Sequence, residues 1–297
     1  MQLEDIETRC LEIRSLHQRA RYAIKRQSQA DRSLEAFVRV NVFGFSTFDD
    51  EATRDKKSAA ALKLIKQCRD GKAPKEFIAI ADVVKSSDLG RKGFDKVRNQ
   101  AELALRKATV DLPGIEFVAG VRGFGNLGFA QIIGECGNLS KYAGPAKVWK
   151  RLGLAPYQGL AMSSWKRDSW RPRALTGDEW IANPFKGERY AIVAQIALWL
   201  VNSQMEAAEK SGTQFGKPTG PYGEVYLKRR LRTAETHPDW TLMHARSDAM
   251  RITVKKLLAD LWCAWNGRAT RSMITKAEAP SQQIPAVEAR QGMASAY

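Results

Sequence analysis

The chain has 297 residues, 44% of them hydrophobic and 27% charged, with 48 Lys and Arg against 32 Asp and Glu. That much apolar material excludes a disordered polyelectrolyte, and the length allows one large or two modest domains with a real core. The formal charge of +16 repels itself and is best offset by an anionic partner, of which nucleic acid is the commonest.

Residues 1–112 read as long helices. Apolar or small groups recur at Leu3, Ile6, Cys10, Ile13, His17, Ala20 and Ile24, alternating three and four apart as in a coiled-coil seam with one polar interruption at His17. The run FVRVNVFGF at 37–45 alternates like a strand, yet no breaker separates it from the preceding helix until Gly44; a helix is expected. Acids and a capping residue open STFDDEATRDKKSAAALKLIKQCRDG, which closes at Gly71, and DKVRNQAELALRKATV is a further helix ended by Pro113. The seam buries its stripe against a second copy of the chain, making a homo-oligomer, or against residues 94–110 of its own chain.

Residues 113–267 form a second region. It opens on IEFVAGVRGFGNLGFAQII, two short apolar stretches meeting at Gly123-Phe124-Gly125, the pattern of a helix-hairpin-helix. Glycines accept the dihedrals of a tight corner and leave main-chain N–H groups open to an anion, with the positive start of the second helix behind them. On this reading Phe124 points inward, Gly123 and Gly125 hold a backbone phosphate, and Arg122 and Asn126 flank it. Replacing Gly123 by Glu together with Lys150 by Glu is then expected to weaken binding without unfolding.

Beyond the corner come Lys141, Lys147, Lys150, Arg151, Lys166, Arg167, Arg171 and Arg173, interleaved with Tyr142, Trp149, Tyr157, Trp165 and Trp170, and Asp168 is the only acid between 141 and 173. Cations neutralise phosphates and aromatic faces stack on exposed bases. YAIVAQIALWLV at 190–201 is the longest nearly unbroken apolar run; it is too short to cross a bilayer and reads as a buried helix. LKRRLR at 227–232 is either another nucleic-acid contact or a solvated face. The closing helix ARSDAMRITVKKLLADLWCAWNG carries Met250, Val254, Leu257, Leu258, Leu261, Trp262 and Trp265 on one core stripe. Residues 268–297 lack periodicity and form a mobile tail.

Cys10, Cys68, Cys136 and Cys263 are far apart with no CxxC pair, and Pro238 falls between His237 and His244. A zinc ribbon, a disulfide framework and a helical metal pair are therefore excluded by motif. No metal site or cofactor is expected, magnesium entering only if the protein is an enzyme. The acidic opening MQLEDIETRC is no secretory signal, so a cytoplasmic, nucleoid-associated protein is expected, with no membrane association.

The run GVRGFGNLGFAQIIGECGNLSKYAGPAKVWKRLGLAP resembles the C-terminal domain of insertion-sequence one-ten transposases and Piv-like DNA invertases. The family's GIG hairpin corresponds to Gly123-Phe124-Gly125, its GD and F positions to Gly137-Asn138 and Tyr142, and its AYAGLAP segment to the residues ending Leu154-Ala155-Pro156. The resemblance spans about 113–267 and is dense over its first forty residues. Family members begin with a RuvC-like domain that supplies metal-binding acids, and MQLEDIETRCLEIRSLHQRARYAIKRQ has no such strand-plus-acid motif. Their serine nucleophile lies in a stretch like SSGG after the GLAP segment. Here Ser163-Ser164 is followed by Trp165-Lys166, which makes these serines the candidate catalytic residues.

The expectation is a mainly α protein, long helices or a coiled coil followed by a helix-hairpin-helix domain, that grips DNA by its backbone without sequence preference. The resemblance implies a mobile-element or phage setting, with transposition or another DNA recombination as its process. It leaves two alternatives: a serine recombinase that takes metal-binding acids from a partner, and an RNA-binding protein, since the family works with a structured RNA.

Overall fold

The computed structural model describes residues 3–155 and 184–269. Ser163, Ser164, Lys166, Arg167 and Arg171 lie outside the described residues, as does the expected tail beyond 269. The described chain is mainly α, ten helices and one two-residue strand pair.

Helix α1, Leu3–Asn41, contains no Gly or Pro, opens on Glu4 and Asp5, and ends near Arg39, charges that suit the two ends of the helix dipole. It absorbs the alternating run as far as Asn41 and is about 58 Å long at 1.5 Å per residue. Helix α2, Glu51–Arg69, is capped by Asp50, which accepts from the Thr53 N–H at 2.8 Å. Helix α3, Ile78–Ala108, starts well before the periodic stretch at 95–110. Gly90 and Gly93 hide that early portion in the sequence; both have open space around them, and packing against α1 outweighs their poor helix propensity.

Helices α1 and α3 run antiparallel, because partners on α3 and just past its end fall in number as those on α1 rise. Arg9 faces Asp111, Tyr22 meets Phe94, and Asp31 pairs with Arg91. The seam residues Cys10, Ile13 and Ala20 are buried in one core with Ala101, Leu105 and Ala108. Of the two ways to cover the seam, the fold-back within the chain is the one realised, so the face expected to join two copies is occupied by α3. At the far end Leu34 and Val38 of α1 pack with Ala61, Leu64 and Ile65 of α2 and Val84 of α3 in a second, smaller core.

The body is built around helix α5, Asn126–Cys136, nine of whose eleven residues are buried. It touches α1, α3, α4 (Ile115–Gly120), α6 (Pro145–Arg151) and α7 (Pro184–Gln204). After α7 come β1 (Met205–Glu206), α8 (Ala208–Ser211) and β2 (Lys217–Pro218), the strands pairing antiparallel. Helices α9 (Pro221–Thr236) and α10 (Leu242–Trp265) close the body. The α10 stripe is core as expected: Val254, Leu257, Leu258, Leu261, Trp262 and Trp265 are buried and Met250 packs against them.

Main-chain acceptors fix the tryptophans: Trp149 Nε1 donates to the Lys255 carbonyl and Trp262 Nε1 to that of Tyr142, both at 3.0 Å. Trp265 Nε1 donates to Asn138 Oδ1 at 3.0 Å, while Asn138 Nδ2 donates to Glu7 Oε1 at 2.7 Å. One buried amide thus joins the first and last described helices. Among the described residues no helix is long and apolar enough to cross a membrane.

Candidate nucleic-acid interface

Helix α6 starts at Pro145 and spends only seven residues, yet Lys147, Lys150 and Arg151 stand at i, i+3 and i+4, on one face. Val148 on the other side is fully buried, which turns the cationic face outward. Lys141, Tyr142, Ala143 and Arg189 join that face around a concave pocket of about 520 Å³. Among the described residues no carboxylate lines it and none pairs with Lys147 or Lys150. Lys141 is the exception at the rim, its Nζ 2.8 Å from Glu7 Oε2.

The floor beneath the pocket is organised by Glu135, at the end of α5 and 5% exposed. Its Oε1 lies 3.0 Å from His17 Nε2 and 2.6 Å from Arg21 Nη1; its Oε2 accepts from Arg189 Nε at 2.8 Å. Its carbonyl oxygen accepts from Arg151 Nε at 2.9 Å. Both pocket arginines are therefore tethered to one residue through Nε. Burial alone would push the Glu135 carboxyl up, but His17, Arg21 and Arg189 outweigh it and hold it at about 2. Gly134 makes this possible: a Cβ there would sit 2.6 Å from His17 Cβ, so only glycine lets the imidazole lie against α5.

The Gly123-Phe124-Gly125 corner lies at the other end of α5, about 16 Å away along an eleven-residue helix. Phe124 is buried, 2% exposed, and pins the turn as expected. Gly123, at φ +86°, is packed against α7 on its Cα side: a Cβ would fall 2.7 Å from Ser203 Cβ and 2.9 Å from the Trp199 carbonyl oxygen. Gly125 faces open space. Arg122 donates to the Thr219 carbonyl at 3.0 Å and Asn126 Nδ2 to the Arg106 carbonyl at 3.4 Å. Three of the four corner residues expected at the phosphate thus make internal contacts, because α7 and the loop before α9 close over the bend. The corner and the basic segment, expected to grip one backbone together, stand at opposite ends of α5.

LKRRLR is split by helix geometry. Arg229 is bound to Asp248, and Arg230 is 8% exposed with its guanidinium 4.7 Å from the Phe215 ring centroid, leaving Lys228 and Arg232 outward. His237 and His244 stack on opposite faces of Trp240, with centroid distances of 4.2 and 4.0 Å. Among the described residues no group of three potential ligands converges on a metal position.

Sequence reasoning missed Glu135, Arg21 and Arg189. A signal existed: Glu135 is the one acid in an otherwise small and apolar α5, and His17 is the one polar break in the seam. Each is a polar group in a buried position, and each is the other's hydrogen-bond partner. No family model matches the chain, and searches of curated proteins and of solved structures likewise found no match.

Proposed function

We propose that this chain is a nucleic-acid-binding protein that grips the phosphate backbone of DNA, without reading sequence, in the pocket formed by Lys141, Lys147, Lys150, Arg151 and Arg189. The observation that carries the reading is the convergence of these five cations around one concavity that, among the described residues, no carboxylate lines. Like charges at i, i+3 and i+4 repel, and a phosphate diester turns that repulsion into attraction. Tethering through Nε presets two guanidinium planes, the geometry that favours arginine wherever oxyanions are held. The resemblance over 113–267 supplies the setting, a protein of DNA recombination in a mobile element.

The test is an anisotropy titration of a labelled duplex at 50 to 200 mM salt. Each neutralised phosphate contributes about −0.9 to the slope of log K against log salt. The Lys147→Glu/Lys150→Glu variant is expected to weaken binding at least tenfold and to flatten the slope by about 2. Unchanged affinity and slope in a folded variant would refute the assignment.

A further inference from the structure

We infer a second nucleic-acid subsite, one that takes an unpaired nucleotide, in the depression between α1 and α3 around Tyr22, Phe94, Arg26 and Arg32. The inference rests on the phosphate-binding reading above and names the form of nucleic acid that fits it: single-stranded or branched, with bases free to leave the stack. DNA and RNA offer the same base faces and phosphates here.

The depression is an open one of about 670 Å³. Tyr22 is 53% exposed and meets Phe94 edge-on, with centroids 6.3 Å apart at 71°. Phe94 packs against the Tyr22 ring from one side, and the exposed remainder of the Tyr22 ring is the surface on which a flat heterocycle would stack. The Arg26 guanidinium lies 5.1 Å from the Tyr22 ring centroid and Nη1 donates to Gln29 at 3.3 Å. Arg26, Gln29 and Ser33 follow Tyr22 at i+4, i+7 and i+11, so one face of α1 presents a ring, a cation, an amide and a hydroxyl in a row. Arg32 adds a second cation.

Among the described residues no acid lines this depression. Asp31 is engaged by Arg69 and Arg91, and Asp95 by Gln27. Aromatic faces with arginines and no carboxylate are what single-strand binders use, the ring stacking the base and the cation holding its phosphate. A paired duplex keeps its bases inside and cannot reach the Tyr22 ring. On α1, Arg21, the residue before Tyr22, is bonded to Glu135 beneath the cationic pocket, so the same helix contributes to both subsites.

The experiment compares three labelled 20-mers, a DNA duplex, single-stranded DNA and single-stranded RNA, against wild type, Tyr22→Ala, Tyr22→Phe and Arg26→Gln. Tyr22→Ala is expected to lose about tenfold on both single strands, as removal of a stacking ring does, with duplex affinity unchanged and Tyr22→Phe near wild type. Arg26→Gln is expected to weaken single-strand binding while keeping the ring. An arm that leaves the protein intact titrates wild type with a single strand carrying abasic sites, expected to bind about tenfold more weakly than the normal strand. Equal affinity for abasic and normal strands, or equal losses on duplex and single strand, would overturn the subsite. If Lys147→Glu/Lys150→Glu weakens binding and Tyr22→Ala does not, the subsite alone falls; if wild type binds none of the three, both readings fall.

Discussion

His17 Nε2 lies 3.0 Å from Glu135 Oε1, joining residues 118 positions apart in the chain, both at most 5% exposed. The contact ties the middle of α1 to the end of α5, and Arg21 and Arg189 share the same carboxylate. Such a network is weak evidence of stability in itself, but removing the carboxylate withdraws its countercharge from two part-buried guanidinium groups. Glu135→Ala is expected to cost about 3–5 kcal/mol in urea denaturation.

Glu135→Gln separates positioning from charge. Charge arithmetic says that deleting an acid beneath a cationic pocket tightens phosphate binding. Losing the carboxylate anchor of Arg189 says the opposite, because a loosened guanidinium must be reordered on binding. A loss of about fivefold in duplex affinity at 100 mM salt is expected, and a gain would show that Glu135 does not position the arginine.

The same carboxylate sets an acid window. Its folded pKa, about 2, lies below the unfolded value of 4.5, so the unfolded chain binds more protons between those values and stability falls as pH falls. The contribution is complete above about pH 5, on the order of 3 kcal/mol, and is lost near pH 2. Urea midpoints for wild type and Glu135→Gln should therefore converge as pH is lowered from 5 towards 2.

The two glycines of the corner are not equivalent. Gly123→Ala meets both the left-handed backbone and the wall of α7, and is expected to cost about 3 kcal/mol. The Gly123→Glu exchange expected from the sequence to spare folding should unfold the body instead. Gly125→Ala meets nothing within 4 Å at an ordinary φ of −97° and should cost under about 1 kcal/mol. Thermal melts of the two alanine variants give the comparison.

Covering the seam within the chain has its own consequence. Leu105 is fully buried on α3, whereas Leu11 on α1 is 62% exposed. Leu105→Ala is expected to cost about 3 kcal/mol and Leu11→Ala less than about 0.5 kcal/mol, measured by urea denaturation.

Much of the architecture was legible because helices are specified locally. An uninterrupted 3.6-residue pattern, an Asp50 cap and the Pro113 stop act over one or two turns, so α1, α2, the end of α3 and the α10 stripe could be read from neighbours in sequence. The early half of α3 could not, since Gly90 and Gly93 argue against helix until α1 is laid beside them. The pocket was half legible: Lys141, Lys147, Lys150 and Arg151 lie within eleven residues, whereas Arg189 arrives from another helix.

By itself the sequence determined that the protein is helical, that it carries a large positive charge, and that α6 carries cations on one face. Only the tertiary structure decided which cations face outward and which glycine is walled in. It also decided that the seam closes on its own chain and that Glu135 rather than the corner organises the basic pocket. The reason is physical: helical periodicity is a property of adjacent residues, but burial, pairing and concavity depend on which distant segment comes to lie alongside, as Glu135 does beside His17.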